Sequence, residues 1–245
     1  MEKTNRKKRE RNTNMKKCIT FCAVALLAGP AAHGALMQLI PVDVSAQHWG
    51  DNGPAGNGSL KRIWDESGLT KVGDNPANWT HSNSGNWVDM WAGNTTTGPA
   101  DGWVVIDLGE SFPLDNLFIW NHHQPAHLTN GVADYNLYLA TTPTVTVPVA
   151  SATVTAYDFG SGGWTQFGGT FTLDQGINST SMLPSGIVDL SGQTARYIGI
   201  DIQTSYGGNR AALSELVITQ IPEPGTAGLM ALFGLAALVR RRVRR

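Results

Sequence analysis

The segment Asn-His-His-Gln-Pro-Ala-His at 121–127 concentrates three of the six histidines of the chain, and histidine is the commonest side chain for metal binding and proton transfer. His122 and His123 are adjacent, so on a strand their side chains would point to opposite faces and could not easily share an ion. No cysteine stands nearby and no His-Glu-x-x-His pattern occurs. The segment therefore favours a polar loop over a zinc site. Either His122 and His123 hydrogen-bond a sugar there, or the loop has no ligand.

Aromatic side chains in the polar segments suggest a second kind of ligand contact. Trp91, Trp164 and Tyr206 lie among Gly, Ser, Asn and Thr residues, where an aromatic ring could form an apolar platform for a sugar. Most of the eight tryptophans are expected instead to pack in the core or to anchor loops. Long polar loops on a rigid β scaffold are where binding residues usually lie.

Sequence signatures of catalysis are missing. The chain contains no Gly-x-Ser-x-Gly nucleophile motif and no phosphate-binding glycine loop. Carboxylates are plentiful, but their pairing cannot be read from one sequence. We expect no enzymatic activity, and a glycan-active enzyme is the least favoured alternative.

Charge is divided unevenly along the chain. Residues 35–220 carry five Lys or Arg against sixteen Asp or Glu, a formal charge of −11, whereas the whole chain has −1. An acidic body repels phosphates, which argues against nucleic acid, and it offers carboxylates to divalent cations. Both cysteines, Cys18 and Cys22, precede this body. The body must therefore be stabilised by its core without a disulfide.

The elements that position these residues are predicted to be β-strands. Apolar and polar residues alternate between turn residues, which is typical of half-buried strands in a sandwich. In 197–202 the isoleucines face one way and the intervening residues the other, and 134–142 places Tyr135, Leu137 and Leu139 on one face. No βαβ spacing or fixed repeat occurs. We predict an all-β fold, a single antiparallel β-sandwich over 35–220.

The N-terminus has the features of an export signal. Met15-Lys16-Lys17 begins a positive region, an apolar stretch follows at 18–29, and Ala32-His33-Gly34 ends it with small residues at the two positions that a signal peptidase reads. Residues 1–34 are therefore predicted to be a signal peptide, a helix removed by signal peptidase, with Met15 as an alternative start.

The C-terminal residues 221–245 combine three parts. A Pro-Glu-Pro corner precedes a fifteen-residue apolar run, 225–239, and an arginine cluster follows it. As a helix this run would cover about 22 Å, so it would cross a hydrocarbon core of about 30 Å only as a short transmembrane helix with snorkelling arginines. The residues that define the pattern are Pro222, Glu223, Pro224, Arg240, Arg241 and Arg242.

This tail resembles the PEP-CTERM sorting signal of Gram-negative bacteria. The resemblance implies an exosortase as processing partner, a temporary inner-membrane tether, and delivery to the cell surface or extracellular matrix. An ordinary C-terminal membrane anchor is the alternative.

The segments GWVVIDLGESFPLDNLFIWN, 102–121, and TARYIGIDIQTSYGGNRAALSELVI, 194–218, carry a second resemblance. Over 44–219 the body is similar to discoidin or coagulation-factor type C domains, which are jelly-roll sandwiches of the galactose-binding-like superfamily. This resemblance implies ligand contacts in the last long loop, near Arg210. It also implies a structural calcium held by an Asp, a Thr or Ser about five positions later, and a Glu on the last strand.

In this sequence the matching calcium ligands are Asp65, Thr70 and Glu215, with Gly68 permitting the turn. Calcium takes six to eight oxygen ligands, so carboxylates and backbone carbonyls of a tight loop fit its preference. A capped turn with surface acids is the alternative.

Together these features predict an exported, non-catalytic protein of the cell surface or biofilm matrix that binds carbohydrate or exopolysaccharide. The alternative is a purely structural surface protein with no small ligand.

Overall fold

The computed structural model describes residues 36–46, 59–82, 89–93, 102–143 and 157–221. The strands are β1 (Met37–Leu39), β2 (Asp43–Ala46), β3 (Leu69–Thr70), β4 (Thr80–His81), β5 (Trp91–Ala92), β6 (Trp103–Asn121), β7 (Asp134–Ala140), β8 (Thr165–Thr172), β9 (Gly186–Asp189), β10 (Thr194–Ile202) and β11 (Ala212–Gln220). Short 3-10 helices cover Leu60–Ile63, Pro76–Asn78 and Pro125–Asn130. The predicted all-β fold is confirmed.

Strand β6 belongs to both layers of the fold. Its first part, around Val104 and Ile106, pairs with β2 and β10, and its last part, around Phe118, pairs with β9 and β11. Between them Gly109 has φ 86°, and a Cβ there would lie 2.9 Å from Cγ1 of Val42. A glycine therefore permits the strand to pass from one layer to the other.

The two layers form an antiparallel sandwich. The first layer has the order β1-β11-β6-β9, with β5 also beside β11, and the second has the order β2-β6-β10-β7-β8. Every pairing between these strands is antiparallel. The predicted antiparallel β-sandwich is therefore confirmed.

The main core lies between the layers and follows the predicted alternation. The second layer contributes Leu137, Leu139, Ile198, Ile200 and Ile202, and the first contributes Leu117, Ile119, Leu213, Leu216 and Ile218. All ten are less than a tenth exposed. Burying such side chains stabilises by roughly 1.5–3 kcal/mol each, which allows a core without disulfides.

Each layer also carries a smaller apolar cluster on its outer face. Trp79 and Leu69 of the β3–β4 hairpin pack with Phe118, Trp120 and Val217 of the first layer. On the second layer, a loop carrying Phe159 and Trp164 packs with strand residues such as Trp103 and Tyr197. These clusters attach both segments to the rigid sandwich.

Within the described ranges, no helix is long and apolar enough to cross a membrane. The predicted signal peptide, 1–34, and the sorting residues Pro222, Glu223, Pro224, Arg240, Arg241 and Arg242 lie outside the residues that the structure describes.

Candidate functional site

Three loops meet at one end of the sandwich: 122–131 after β6, 173–176 after β8, and 203–211 between β10 and β11. The amide of Gly208 donates to the Thr129 carbonyl at 2.8 Å, and the amide of Tyr206 donates to the Gly131 carbonyl at 3.2 Å. The Tyr206 hydroxyl donates to the Leu173 carbonyl. We call this set of three loops the loop end.

Asn121, fully buried at the end of β6, holds the loop end together. Its side-chain amide donates to the carbonyls of Val132 at 2.7 Å and Asp174 at 2.9 Å. Its side-chain oxygen accepts from the amides of His122 at 2.8 Å and Val132 at 2.9 Å. One side chain thus fixes two of the three loops to the sandwich, and a fully satisfied buried polar group of this kind rigidifies its surroundings.

The structure corrects the expectation that His122 and His123 face a ligand, because both are 0% exposed. They directly follow the last residue of β6, Asn121, and are buried as that residue is. Burial lowers the pKa of His122 to about 3, with the charges of His123, His127 and Arg210 acting in the same direction. Burial also lowers the pKa of His123 to about 4. Both imidazoles are therefore neutral interior groups.

His127, the third histidine of the same segment, is exposed. It lies in the 3-10 helix Pro125–Asn130, which turns the loop outward after Gln124. Sequence reasoning selected the two buried histidines and missed this one. The signal that could have found it is Pro125, since a proline at the start of a helical turn marks the point where the chain leaves the strand.

Tyr206 and Arg210 lie in the same loop, as expected, and both are half-buried. Burial lowers the pKa of the Arg210 guanidinium from its ordinary value, but the group stays cationic because that value is far above neutral pH. Exposed polar side chains surround these two residues: His127, Thr129, Asp174, Gln175 and Asn209. The loop end thus presents several hydrogen-bond donors and acceptors on a rigid support.

Trp164 does not join the loop end. It precedes Thr165, which pairs with Leu139 near the last residue of β7, whereas the loop end adjoins the first residues of β7. Its indole N–H donates to the Tyr157 hydroxyl at 3.0 Å. The predicted sugar platform of Trp164 is therefore part of the outer cluster of the second layer, and Trp91 is buried in the main core.

Asp65 and Glu215, two of the predicted calcium ligands, are brought close together. Glu215 is 0% exposed, and neither carboxylate oxygen has a hydrogen-bond partner among the described residues. Burial raises its pKa well above the ordinary value, and the charges of Asp65 and Glu66 raise it further. The amides of Leu216 and Glu66 act in the opposite direction and lower the pKa, although neither satisfies the geometry of a hydrogen bond to the carboxylate.

Asp65 is already partly satisfied. Its Oδ2 accepts from Arg62 Nη1 at 3.2 Å, and its Oδ1 accepts from the amide of Ser67 at 3.0 Å and from the Ser67 hydroxyl. Thr70 is exposed on β3, opposite Thr80. In the part of the chain that the structure describes, no contact joins Thr70 to either carboxylate, and no group of three His, Cys, Asp or Glu could hold a metal.

The residues present nevertheless fit a hard divalent cation. A buried carboxylate with no hydrogen-bond partner, next to a second carboxylate, is costly in its charged form, and either protonation or a bound cation removes that cost. Calcium binds carboxylate and carbonyl oxygens, and Glu66 has φ 64° in a tight turn beside these groups. Asp65 and Glu215 could therefore hold calcium together with backbone carbonyls.

The tail matches a known sorting motif. The PEP-CTERM protein-sorting motif matches residues 220–245, which confirms the prediction for this segment and marks the chain as an exported protein. No curated protein is significantly similar to the chain in sequence.

Several solved structures are similar to this chain. The family 32 carbohydrate-binding module (CBM32) of C. perfringens NanJ, in complex with galactose, is 12% identical over 76% of this chain and 99% of that chain, with a TM-score of 0.43. A Streptococcus pneumoniae fucose binding module is 13% identical over 76% and 97%, also with a TM-score of 0.43.

A longer protein, truncated AlyQ with CBM32 and alginate lyase domains, is 14% identical, with a TM-score of 0.40. The match covers 76% of this chain and only 33% of that chain. The assignment of this protein to the β-sandwich fold rests on its own strand order and core, described above, and not on these similarities.

Proposed function

We propose that this protein is an exported, non-catalytic carbohydrate-binding protein of the cell surface or extracellular matrix, and that the loop end is its binding site. The observation that carries the proposal is the convergence of three loops, which bring exposed His127 together with half-buried Tyr206 and Arg210 on a rigid support. Sugar hydroxyls need several hydrogen-bond partners in fixed positions. A half-buried aromatic ring adds apolar contact.

Two further features support a non-catalytic role. The carboxylates Asp65 and Glu66, which line a cavity of about 310 Å³, are consecutive residues in ion pairs with Arg62 and Lys71. They do not form the pair of facing acids that glycoside hydrolysis requires. The sequence segments that resemble discoidin domains are also consistent with a ligand-binding module.

Calcium is proposed as a structural cofactor, held by Asp65 and Glu215 with backbone carbonyls and with Thr70 as the third predicted ligand. Glu215 lies on β11, and the Asp65 turn follows the 3-10 helix Leu60–Ile63. Calcium would thus join the turn that precedes β3 to the first layer and neutralise the buried carboxylate. Its role would be stability.

Sorting is proposed to follow the tail. After signal-peptide removal, residues 225–239 would hold the protein in the inner membrane, and an exosortase would then process the tail near Pro222-Glu223-Pro224. The mature protein would reach the cell surface or matrix, where an exopolysaccharide is the proposed ligand.

A glycan array probed with the purified body, residues 35–220, tests the binding function. We expect binding to specific glycans that is lost in Arg210→Ala and weakened in His127→Ala. Trp164→Phe should bind as the wild type does, because Trp164 lies away from the loop end. Absence of binding to any glycan, with a folded protein, would leave a purely structural surface role.

A further inference from the structure

An apolar surface lies at the β1 edge of the first layer. Among the described residues, large apolar side chains are exposed there at Met37 (51%), Ile40 (71%), Val42 (64%) and Ile221 (42%). Met37 lies opposite Gln220 in the β1–β11 register, which places it beside Ile221. Ile40 and Val42 follow in the segment between β1 and β2. We call this surface the β1 face.

A cavity of about 310 Å³ is continuous with the β1 face, because Ile40 and Pro41 line it. Apolar side chains from both layers form most of its wall: Leu39, Val44, Ile63, Ile106, Leu216 and Ile218. Polar side chains line the rest: Gln38, Lys61, Asp65 and Glu66. An apolar group that enters along the apolar wall gains dispersion contacts with it. Its volume is near the lower limit of small-ligand pockets, about 300 Å³.

The position of the β1 face relative to the tail suggests what covers it. Strand β11 ends at Gln220, and the apolar run of the sorting motif begins at Gly225. Four residue steps from Ile221 to Gly225 span at most about 14 Å, at roughly 3.5 Å per residue. While the apolar run is inserted in the membrane, Ile221 therefore lies within about 14 Å of its start, and Met37 lies beside Ile221.

The chemistry of the body favours apolar contact over electrostatic contact with that surface. The body has a formal charge of −11, which anionic headgroups would repel. Exposed Met, Ile and Val side chains can instead enter the boundary between headgroups and acyl chains, as they do in interfacial membrane binding.

We propose that the β1 face docks on the lipid bilayer while the tail tethers the protein, with hydrocarbon of the bilayer as its occupant. This inference rests on the membrane tether of the proposed function and is independent of carbohydrate binding. An acyl chain that reaches the cavity past Ile40 fills it, and processing of the tail then allows the face to leave the membrane.

The body has no cysteine, so a single introduced thiol can report on its surroundings. The test uses the full chain with Cys18→Ser and Cys22→Ser, carrying Ile40→Cys labelled with a polarity-sensitive fluorophore and reconstituted in phosphatidylcholine vesicles. The matched control is Ile187→Cys. Ile187 is 52% exposed and lies on β9, at the opposite edge of the first layer.

We expect vesicles to shift the emission of the fluorophore at position 40 to shorter wavelength. Nitroxide-labelled lipids should quench its fluorescence several-fold more than that of the fluorophore at position 187. A chain ending at Ile221 should lose this response. An unresponsive Ile40 probe in a chain that floats with the vesicles overturns the proposal, as does an equal response at both positions. A concentration-dependent shift without vesicles would instead show that a second copy covers the face.

Vesicle flotation and glycan binding, measured on the same samples, separate the two proposals. Failure to float shows that the tail is not a tether, which removes the basis for membrane docking. If the protein binds no glycan but nitroxide-labelled lipids still quench the Ile40 probe more than the Ile187 probe, only the carbohydrate proposal is overturned.

Discussion

The imidazoles of His81 and His123 are in contact in the protein interior, where Nδ1 of His81 lies 3.0 Å from Nε2 of His123. The ring centres are 4.8 Å apart, and both residues are 0% exposed. One nitrogen must donate and the other accept, so these two atoms share one hydrogen. The contact joins the β3–β4 hairpin to the loop that follows β6, and its stability depends on both rings staying neutral.

Acid should destabilise the protein through these histidines. Burial is the largest cause that lowers the pKa of His81 and of His123 to about 4 and that of His122 to about 3. In the unfolded chain their pKa is about 6.5, so the unfolded state binds more protons below that value. The free energy of unfolding should therefore fall as the pH drops from about 6.5 to about 4. Each unit of pKa difference corresponds to about 1.4 kcal/mol.

Urea unfolding at a series of pH values measures this slope. His123→Asn should flatten it, because the variant lacks one of the buried imidazoles. Glu215 acts in the opposite direction above about pH 4.5, so the difference between the two proteins is the readout. An equal slope in the wild type and in His123→Asn would contradict this prediction.

Replacing Asn121 should loosen the loop end. Asn121→Ala removes four hydrogen bonds, and three of them leave buried backbone groups of His122 and Val132 without these partners. Each such group costs about 1–3 kcal/mol, so we expect a loss of at least about 3 kcal/mol in chemical denaturation. The control is Asn116→Ala, since the Asn116 side chain donates one bond, to Asp115. Equal losses for the two variants would argue against the role of Asn121.

Glu215 should make the metal-free protein less stable at higher pH. Its folded pKa is raised above the ordinary value of 4.5, so the folded state binds more protons and stability falls as the pH rises above about 4.5. Glu215→Gln, which removes the charge at similar size, should raise the melting temperature in chelator above neutral pH.

The same variant tests calcium. A ligand in hundredfold excess over its dissociation constant stabilises by about 2.7 kcal/mol. Calcium should therefore raise the melting temperature of the wild type and of the exposed control Glu110→Gln, but not of Glu215→Gln or Asp65→Ala. A calcium response in all four proteins, or in none, would exclude this site.

Close packing requires glycine at position 176. A Cβ on Gly176 would overlap the carbonyl oxygen of His122, whereas a Cβ on Gly169 would meet no atom within 4 Å. Gly176→Ala should cost about 1–3 kcal/mol, the usual range for overpacking, and should weaken glycan binding. Thermal unfolding measures the first effect. A Gly176→Ala protein as stable as Gly169→Ala would show that the two loops do not pack as described.

The class of fold could be predicted from the sequence because its strands have one buried face. The alternation in 197–202 assigns Ile198, Ile200 and Ile202 to the core, and they lie there. Tyr206 and Arg210 could be placed in one loop for the simpler reason that they are four residues apart. The sorting motif could be recognised from its local pattern alone.

The arrangement of the loop end could not be predicted, because it depends on contacts between distant residues. Asn121 contacts Asp174, 53 residues away, through a side-chain hydrogen bond. His81 contacts His123 across 42 residues. From sequence alone, a polar residue at the end of a strand is expected to be exposed. The structure was therefore needed to show that His122 and His123 are buried and that His127 is exposed.

Hydrogen exchange measured by mass spectrometry, on the body with and without a bound glycan, tests whether carbohydrate binds at the loop end. We expect slower amide exchange in 122–131 and 203–211 when glycan binds, with no change in the β3–β4 hairpin or in the loop that carries Trp164. Protection confined to the Trp164 loop, or no protection at saturating glycan, would contradict it.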